Sequence, residues 1–196
     1  AFYELAVFVA QRRAPERLAR TAHAALRAEW FAAVSAERGT EVLAVQTLRN
    51  SLMSATMTAS TAVLGLMGTA TLAAPSLHAS LGEATGHSTH LTVRLALELV
   101  LMALLFASFV SSAMAVRYYN HVSFISAMPV GSETRARWAD AGTNYIRRAG
   151  LLYSWGLRQL VLVAPVLASI LHPYAGPLTA LVVVVVLIGF ERVQKS

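Results

Sequence analysis

The sequence predicts an all-α integral membrane protein, a helical bundle of about four transmembrane helices with a partial or surface N-terminal helix. Three observations carry that reading. Of 196 residues, 56% are hydrophobic and 13% charged, apolar-rich and charge-poor for a water-soluble domain. Long uncharged runs recur, 24 residues over 51–74 and 32 over 159–190. The basic residues also alternate along the chain. Residues 12–49 carry seven arginines, 75–94 one, 117–149 five, the 172–176 turn none, and the C-terminus Arg192 and Lys195. In multi-pass proteins, basic loops stay on the cytoplasmic side.

Taken in order, the chain begins AFYELAVFVAQ, with no methionine and without the charged start and cleavage site of a signal peptide. Two readings stay open: residues 1–11 end a first membrane helix whose start precedes this sequence, or they form a short helix on the bilayer surface. The first full span is expected over about 41–74. A membrane helix needs about 20 apolar residues, EVLAVQTL continues the helical pattern upstream, Thr40 suits an N-cap, and Pro75 with Ser76 ends the segment. A polar loop follows, SLHASLGEATGHSTHLT. The second span covers about 92–117, and a basic connection, 117–149, contains MPVGSETRAR with Pro129 and Gly131 as turn residues. The final uncharged run would reach roughly 48 Å as one helix, beyond a ~30 Å hydrocarbon core. HPYAGP interrupts it, so it divides into a hairpin, about 150–171 and 175–192. A single span there would put the basic C-terminus outside and break the charge alternation. The expected organisation is one membrane domain, 1–196, in a bacterial inner membrane, with 12–40, 117–149 and the C-terminus cytoplasmic.

Composition narrows the chemistry. No cysteine is present, which excludes disulfides, thiolate metal sites and cysteine nucleophiles. The net charge of +6 comes from fifteen arginines and one lysine against ten acids. These arginines flank apolar runs, so they point to anionic headgroups and topology and not to nucleic acid. No glycine-rich phosphate loop, nucleophile elbow or pair of carboxylates at useful spacing occurs, so no enzyme and no cofactor is expected.

The informative stretch is QTLRNSLMSATMTAST, residues 46–61, with seven hydroxyl side chains beside Gln46, Arg49 and Asn50. Helical spacings of three and four place Gln46, Arg49, Asn50, Met53 and Met57 on one face. Arg49 near a boundary can snorkel to headgroups or pair with Glu41. Alternatively, Gln46, Arg49 and Asn50 line a polar vestibule that Ser54, Thr58 and Thr61 continue as a hydroxyl-lined path. Small residues at four-residue steps (Ser51, Ala55, Ala59; Ser54, Thr58, Ala62) also suit close helix packing. Arg158 is a second intramembrane cation, expected at the depth of Arg49, and two arginines without an acid favour an anion. Arg94 and Glu98, four apart, suggest an ion pair; an unpaired Glu98 would instead suggest proton or cation handling. His78, His87 and His90 share a loop but match no metal motif. Tyr118, Tyr119 and Trp155 read as interfacial aromatics.

RAEWFAAV (27–34), LAVQTLRNSLMSAT (43–56), RYYNHVSF (117–124), GLRQL (156–160) and the Gly-Pro pair at 176–177 together resemble the family catalogued as domain of unknown function 599. These are uncharacterised multi-pass membrane proteins of bacteria and plants. The resemblance covers roughly residues 20–192, and QTLRNS is its most specific part. It implies an integral membrane protein and a further N-terminal apolar helix, and offers no established activity or site residues. The residues themselves therefore set the functional expectation. It is a homo-oligomeric channel or transporter for a small ion or polar solute, an anion in preference to a cation. The alternative is a non-catalytic membrane subunit or scaffold packing against partner proteins.

Overall fold

The computed structural model describes residues 19–82 and 92–191. The expected N-terminal helix, Glu83, His87, His90 and the basic Arg192 and Lys195 lie outside the described residues. Within them, every regular element is a helix: α1 (Ala19–Ala36), α2 (Glu41–Gly82), α3 (Val93–Ala127), α4 (Glu133–Leu171) and α5 (Ala175–Glu191).

The boundaries follow local chemistry. At the start of α3 the Thr92 hydroxyl accepts the Leu95 N–H at 3.2 Å, and at the start of α4 the Ser132 hydroxyl accepts the Arg135 N–H at 3.3 Å. Both are N-caps that satisfy a donor the helix leaves free. The turn before α4 lies where Pro129 and Gly131 predict it. The Ser132 N–H donates to the Pro129 carbonyl, and Gly131, like Gly39 after α1, takes the left-handed region open to glycine. The hairpin also forms as expected: α4 ends at Leu171, and the Ala175 N–H donates to the His172 carbonyl at 3.0 Å to start α5.

Three expectations are corrected. First, Pro75 does not end α2, which runs through it to Gly82. A proline removes one backbone bond and introduces a clash, and in an apolar helix neighbouring groups absorb the defect. Second, residues 117–149, expected as a connection between spans, are mostly helical. They are the last turns of α3, the turn before α4 and the first half of α4. Their polar side chains hide helical periodicity that charge counting ignores. Third, Thr40 does not cap α2 with its side chain. Its hydroxyl donates backward to the Val34 and Glu37 carbonyls at 2.8 and 2.7 Å, closing the C-terminus of α1. The second arm of the hairpin, α5, keeps its expected bounds with 17 residues, about 25 Å of helix against a ~30 Å core. It is a short apolar helix beside α2, α3 and α4, the three described helices long and apolar enough to cross a membrane.

The chain divides into two compact units, and α2, α3, α4 and α5 each run from one into the other. Unit one comprises residues up to 56, 113–154 and 184 onward; unit two comprises 57–112 and 155–183. The charge divides with them. Among the described residues, unit one holds nine of the eleven basic residues and six of the seven acids. In unit one, Phe31, Leu48, Val122, Ile125 and Ile146 form a buried cluster with Ala55 and Ala149. In unit two, Leu101, Leu105 and Val163 pack with Leu66, Leu104 and Leu160. There the buried Ser108 hydroxyl also donates to the Gly156 carbonyl at 2.8 Å, tying α3 to α4. Large apolar side chains remain on the outside, including Met57, Leu64, Leu72, Phe106 and Leu178. In water such surface is a liability; against lipid it is the expected exterior of an integral membrane protein.

Candidate functional site

Helix α2 carries two distinct stripes. Its inner stripe is Ala44, Leu48, Ala55, Thr58, Ala62, Thr69 and Ala73, all buried. Small side chains at these steps let neighbouring helices approach closely, where packing and not hydrophobic exclusion drives association. Its outer stripe begins with Gln46, Arg49 and Asn50 and continues through Met53, Ser54, Met57, Thr61, Leu64 and Met67, all exposed. These side chains share one face of α2, and among the described residues nothing covers it. Thr58 does not belong to it, because it turns into the packed stripe while Ser54 and Thr61 stay outside.

The hydroxyls along α2 are largely engaged with their own helix. Thr47, Ser54, Thr56, Thr61, Thr69 and Thr71 each donate to the carbonyl four residues earlier, at 2.8–3.1 Å. That is the local solution for a hydroxyl where water is scarce. At the start of α2, Arg49 does not pair with Glu41. The two Glu41 carboxylate oxygens accept the Gly39 and Val130 N–H groups at 2.8 and 3.2 Å.

Behind the outer stripe, unit one contains a cavity of about 270 Å³ lined by Leu26, Arg27, Trp30, Thr47, Leu48, Ser51, Tyr119 and Ile146. Four helices contribute: α1, α2, α3 and α4. Tyr119 is only 3% exposed, so it is a core residue and not the interfacial aromatic its RYYN setting predicts. Thr47 and Ser51, members of the QTLRNS segment, thus border this cavity, Ser51 half-buried and Thr47 at its exposed edge, while Arg49 does not line it. Arg27, and the inward placement of Tyr119, escaped sequence reasoning because nothing along the chain marks residues that four helices bring together.

The remaining candidates fall elsewhere. In unit two, Arg94 Nε lies 3.0 Å from Glu98 Oε1, with Arg94 largely exposed and the Glu98 side chain buried. The pair predicted from the spacing of four therefore forms. Arg158 is half-buried on α4, and beside it the Gln159 side-chain oxygen accepts the Ser111 hydroxyl at 3.4 Å. His78 turns back to the Ala74 carbonyl at 2.8 Å. Among the described residues, no cluster of three histidine or acidic side chains could hold a metal ion.

The family model described as protein of unknown function, DUF599, matches residues 1–196. No curated protein and no solved structure matches the chain.

Proposed function

The chain belongs to this DUF599 family of proteins of unknown function, and from that premise we propose that it assembles with further copies of itself into a membrane channel or transporter for a small ion or polar solute. The observation that carries the proposal is the exposed Gln46, Arg49 and Asn50 face of α2, continued by Ser54 and Thr61. A guanidinium and two carboxamides against hydrocarbon cost several kcal/mol. A second copy, or a water-filled path between copies, removes that cost. Residues 50–82 carry no formal charge and exceed the ~20 needed to cross the core, so Arg49 sits at the mouth of such a path. An arginine there, with Glu41 held by backbone N–H groups, favours an anion. The arginine-rich unit one sets the cytoplasmic side, in an inner membrane, by the positive-inside bias.

A second reading, a non-conducting subunit that packs against partner proteins, draws support from the hydroxyls bonded to their own helix and from the exposed Met53, Met57, Leu64 and Met67 between them. The test is flux of chloride and of potassium into liposomes containing the purified full chain, beside Arg49→Gln. Chloride flux reduced about tenfold or more by the substitution supports a path past Arg49. No flux of either ion from folded, oligomeric protein favours the subunit.

A further inference from the structure

Arg27 stands on α1 with its guanidinium against α4. A Cβ on Gly150 would meet Arg27 Nη1 at 2.5 Å, Cζ at 2.6 Å and Nε at 2.8 Å. The absence of a side chain at 150 is therefore what makes room for the guanidinium. So held, the cation makes one long contact, 3.5 Å from Nη1 to the His23 carbonyl. Among the described residues it has no carboxylate partner. A guanidinium carries five donors in a fixed fork and keeps its charge at any relevant pH, so most of that capacity is open.

What lies around it is two-sided. Toward the polar side are the Tyr119 hydroxyl and the Thr47 and Ser51 oxygens; toward the other are Leu26, Trp30, Leu48 and Ile146. Thr47 has given its proton to the Leu43 carbonyl and Ser51 to the Thr47 carbonyl, which leaves Arg27 and Tyr119 as the natural donors. Ligand sites combine an apolar lining with a few converging polar groups in this way. At about 270 Å³ the cavity lies near the lower end of that class, with space for a head group and a short apolar stretch.

We propose that this cavity binds an amphiphilic oxyanion. A phosphate or carboxylate head meets the Arg27 fork and the Tyr119 hydroxyl, and its apolar part lies against Leu26, Trp30, Leu48 and Ile146. The head supplies a negative charge that no described residue gives Arg27, and the tail fills a wall that water wets poorly. Such a ligand reaches the site either as an anionic lipid of the surrounding bilayer or as a soluble amphiphile. The site is separate from the outer face of α2 and does not depend on conduction.

The experiment is calorimetric titration of octyl phosphate, below its micelle concentration, into the full chain in phosphatidylcholine nanodiscs, with empty nanodiscs subtracted. Saturable binding of one ligand per chain is expected. Arg27→Gln should weaken it about tenfold or more, since hydrogen bonds to charged groups carry that much. Gly150→Ala keeps every charge but displaces the guanidinium, and should weaken binding comparably. Tyr119→Phe should weaken it about threefold, and Arg148→Gln, an exposed arginine outside the cavity, should leave it unchanged. Competition by phosphatidylglycerol in the nanodisc assigns the ligand to the bilayer; its absence assigns it to solution, and either upholds the site. Wild-type affinity in both Arg27→Gln and Gly150→Ala overturns the proposal. Inorganic phosphate binding as tightly as octyl phosphate overturns the amphiphile. So does no saturable binding by chain with native helical circular dichroism.

Discussion

The Arg135 guanidinium donates to the Met128 carbonyl oxygen at 2.6 Å, one of four bonds that place a buried cation between two helix ends. The same Nη1 reaches the Ser126 carbonyl at 3.2 Å, and Nη2 reaches the Val34 carbonyl at 3.2 Å and Ser35 Oγ at 3.4 Å. Val34 and Ser35 lie in the last turn of α1, Ser126 in that of α3. Arg135 is 4% exposed, and the partial negative charge of two helix C-termini offsets its own.

Arg135→Gln should therefore destabilise unit one by about 3 kcal/mol, since it strands several buried carbonyls at about 1–3 kcal/mol each before relaxation. Arg135→Lys should recover part of that loss, because an ammonium keeps the charge but lacks the fork that reaches both helices. Thermal unfolding in detergent, followed by circular dichroism, reads the order wild type, Lys, Gln. Equal melting of wild type and Arg135→Gln would show that the bonds contribute nothing.

Glu41 joins the same region from the other side, accepting the Val130 N–H across 89 residues of sequence at 3.2 Å, and the Gly39 N–H at 2.8 Å. Glu41→Ala should expose both amides to exchange, while Glu41→Gln, which retains one acceptor oxygen, should expose one of them. Hydrogen exchange at Gly39 and Val130 gives the answer directly. Unchanged protection at both positions in the Ala variant would mean that the turn before α4 holds without the carboxylate.

The two stripes of α2 make opposite predictions for adjacent residues. Ala62 is fully buried and Thr61 exposed. Ala62→Leu should cost about 1–3 kcal/mol, the usual penalty for forcing extra methylenes into a packed interface. Thr61→Leu should leave stability within about 0.5 kcal/mol, because its hydroxyl is bonded only to the Met57 carbonyl. Equal effects in a melting assay would contradict the assignment of the faces.

Much of this was legible in the chain. Uncharged length gave α2 and α3, Pro129 and Gly131 gave the turn before α4, and HPYAGP gave the hairpin. The spacing of Gln46, Arg49 and Asn50 gave the outer face. What escaped has a common physical reason. Pro75 marks a break only if the next residues lose their own helical bonds, and they keep them. Residues 117–149 are polar enough to pass for a loop, yet they are helical because unit one buries Tyr119, Val122, Ile125 and Ile146 from them. Arg135 and Arg27 look like any other arginine of a basic segment. Only the meeting of helices distant in sequence buries one and sets the other in a cavity.

The Arg94–Glu98 pair is asymmetric, and that yields an unequal pair of outcomes. The Arg94 side chain is 71% exposed and that of Glu98 4%, and Glu98 Oε2 is buried with no hydrogen-bond partner among the described residues. Removing the arginine leaves a buried carboxylate without its counter-ion, an expensive state. Removing the charge on Glu98 leaves an arginine that remains largely solvated. Arg94→Gln should therefore destabilise by about 1–2 kcal/mol, discounted from the fully buried case because the arginine is exposed. Glu98→Gln should be near neutral, and the double variant should melt with Glu98→Gln and not with Arg94→Gln. A double-mutant cycle in detergent measures this coupling. Additive losses from the two single substitutions would show that the pair acts as two independent surface charges, and that Glu98 has no need of Arg94.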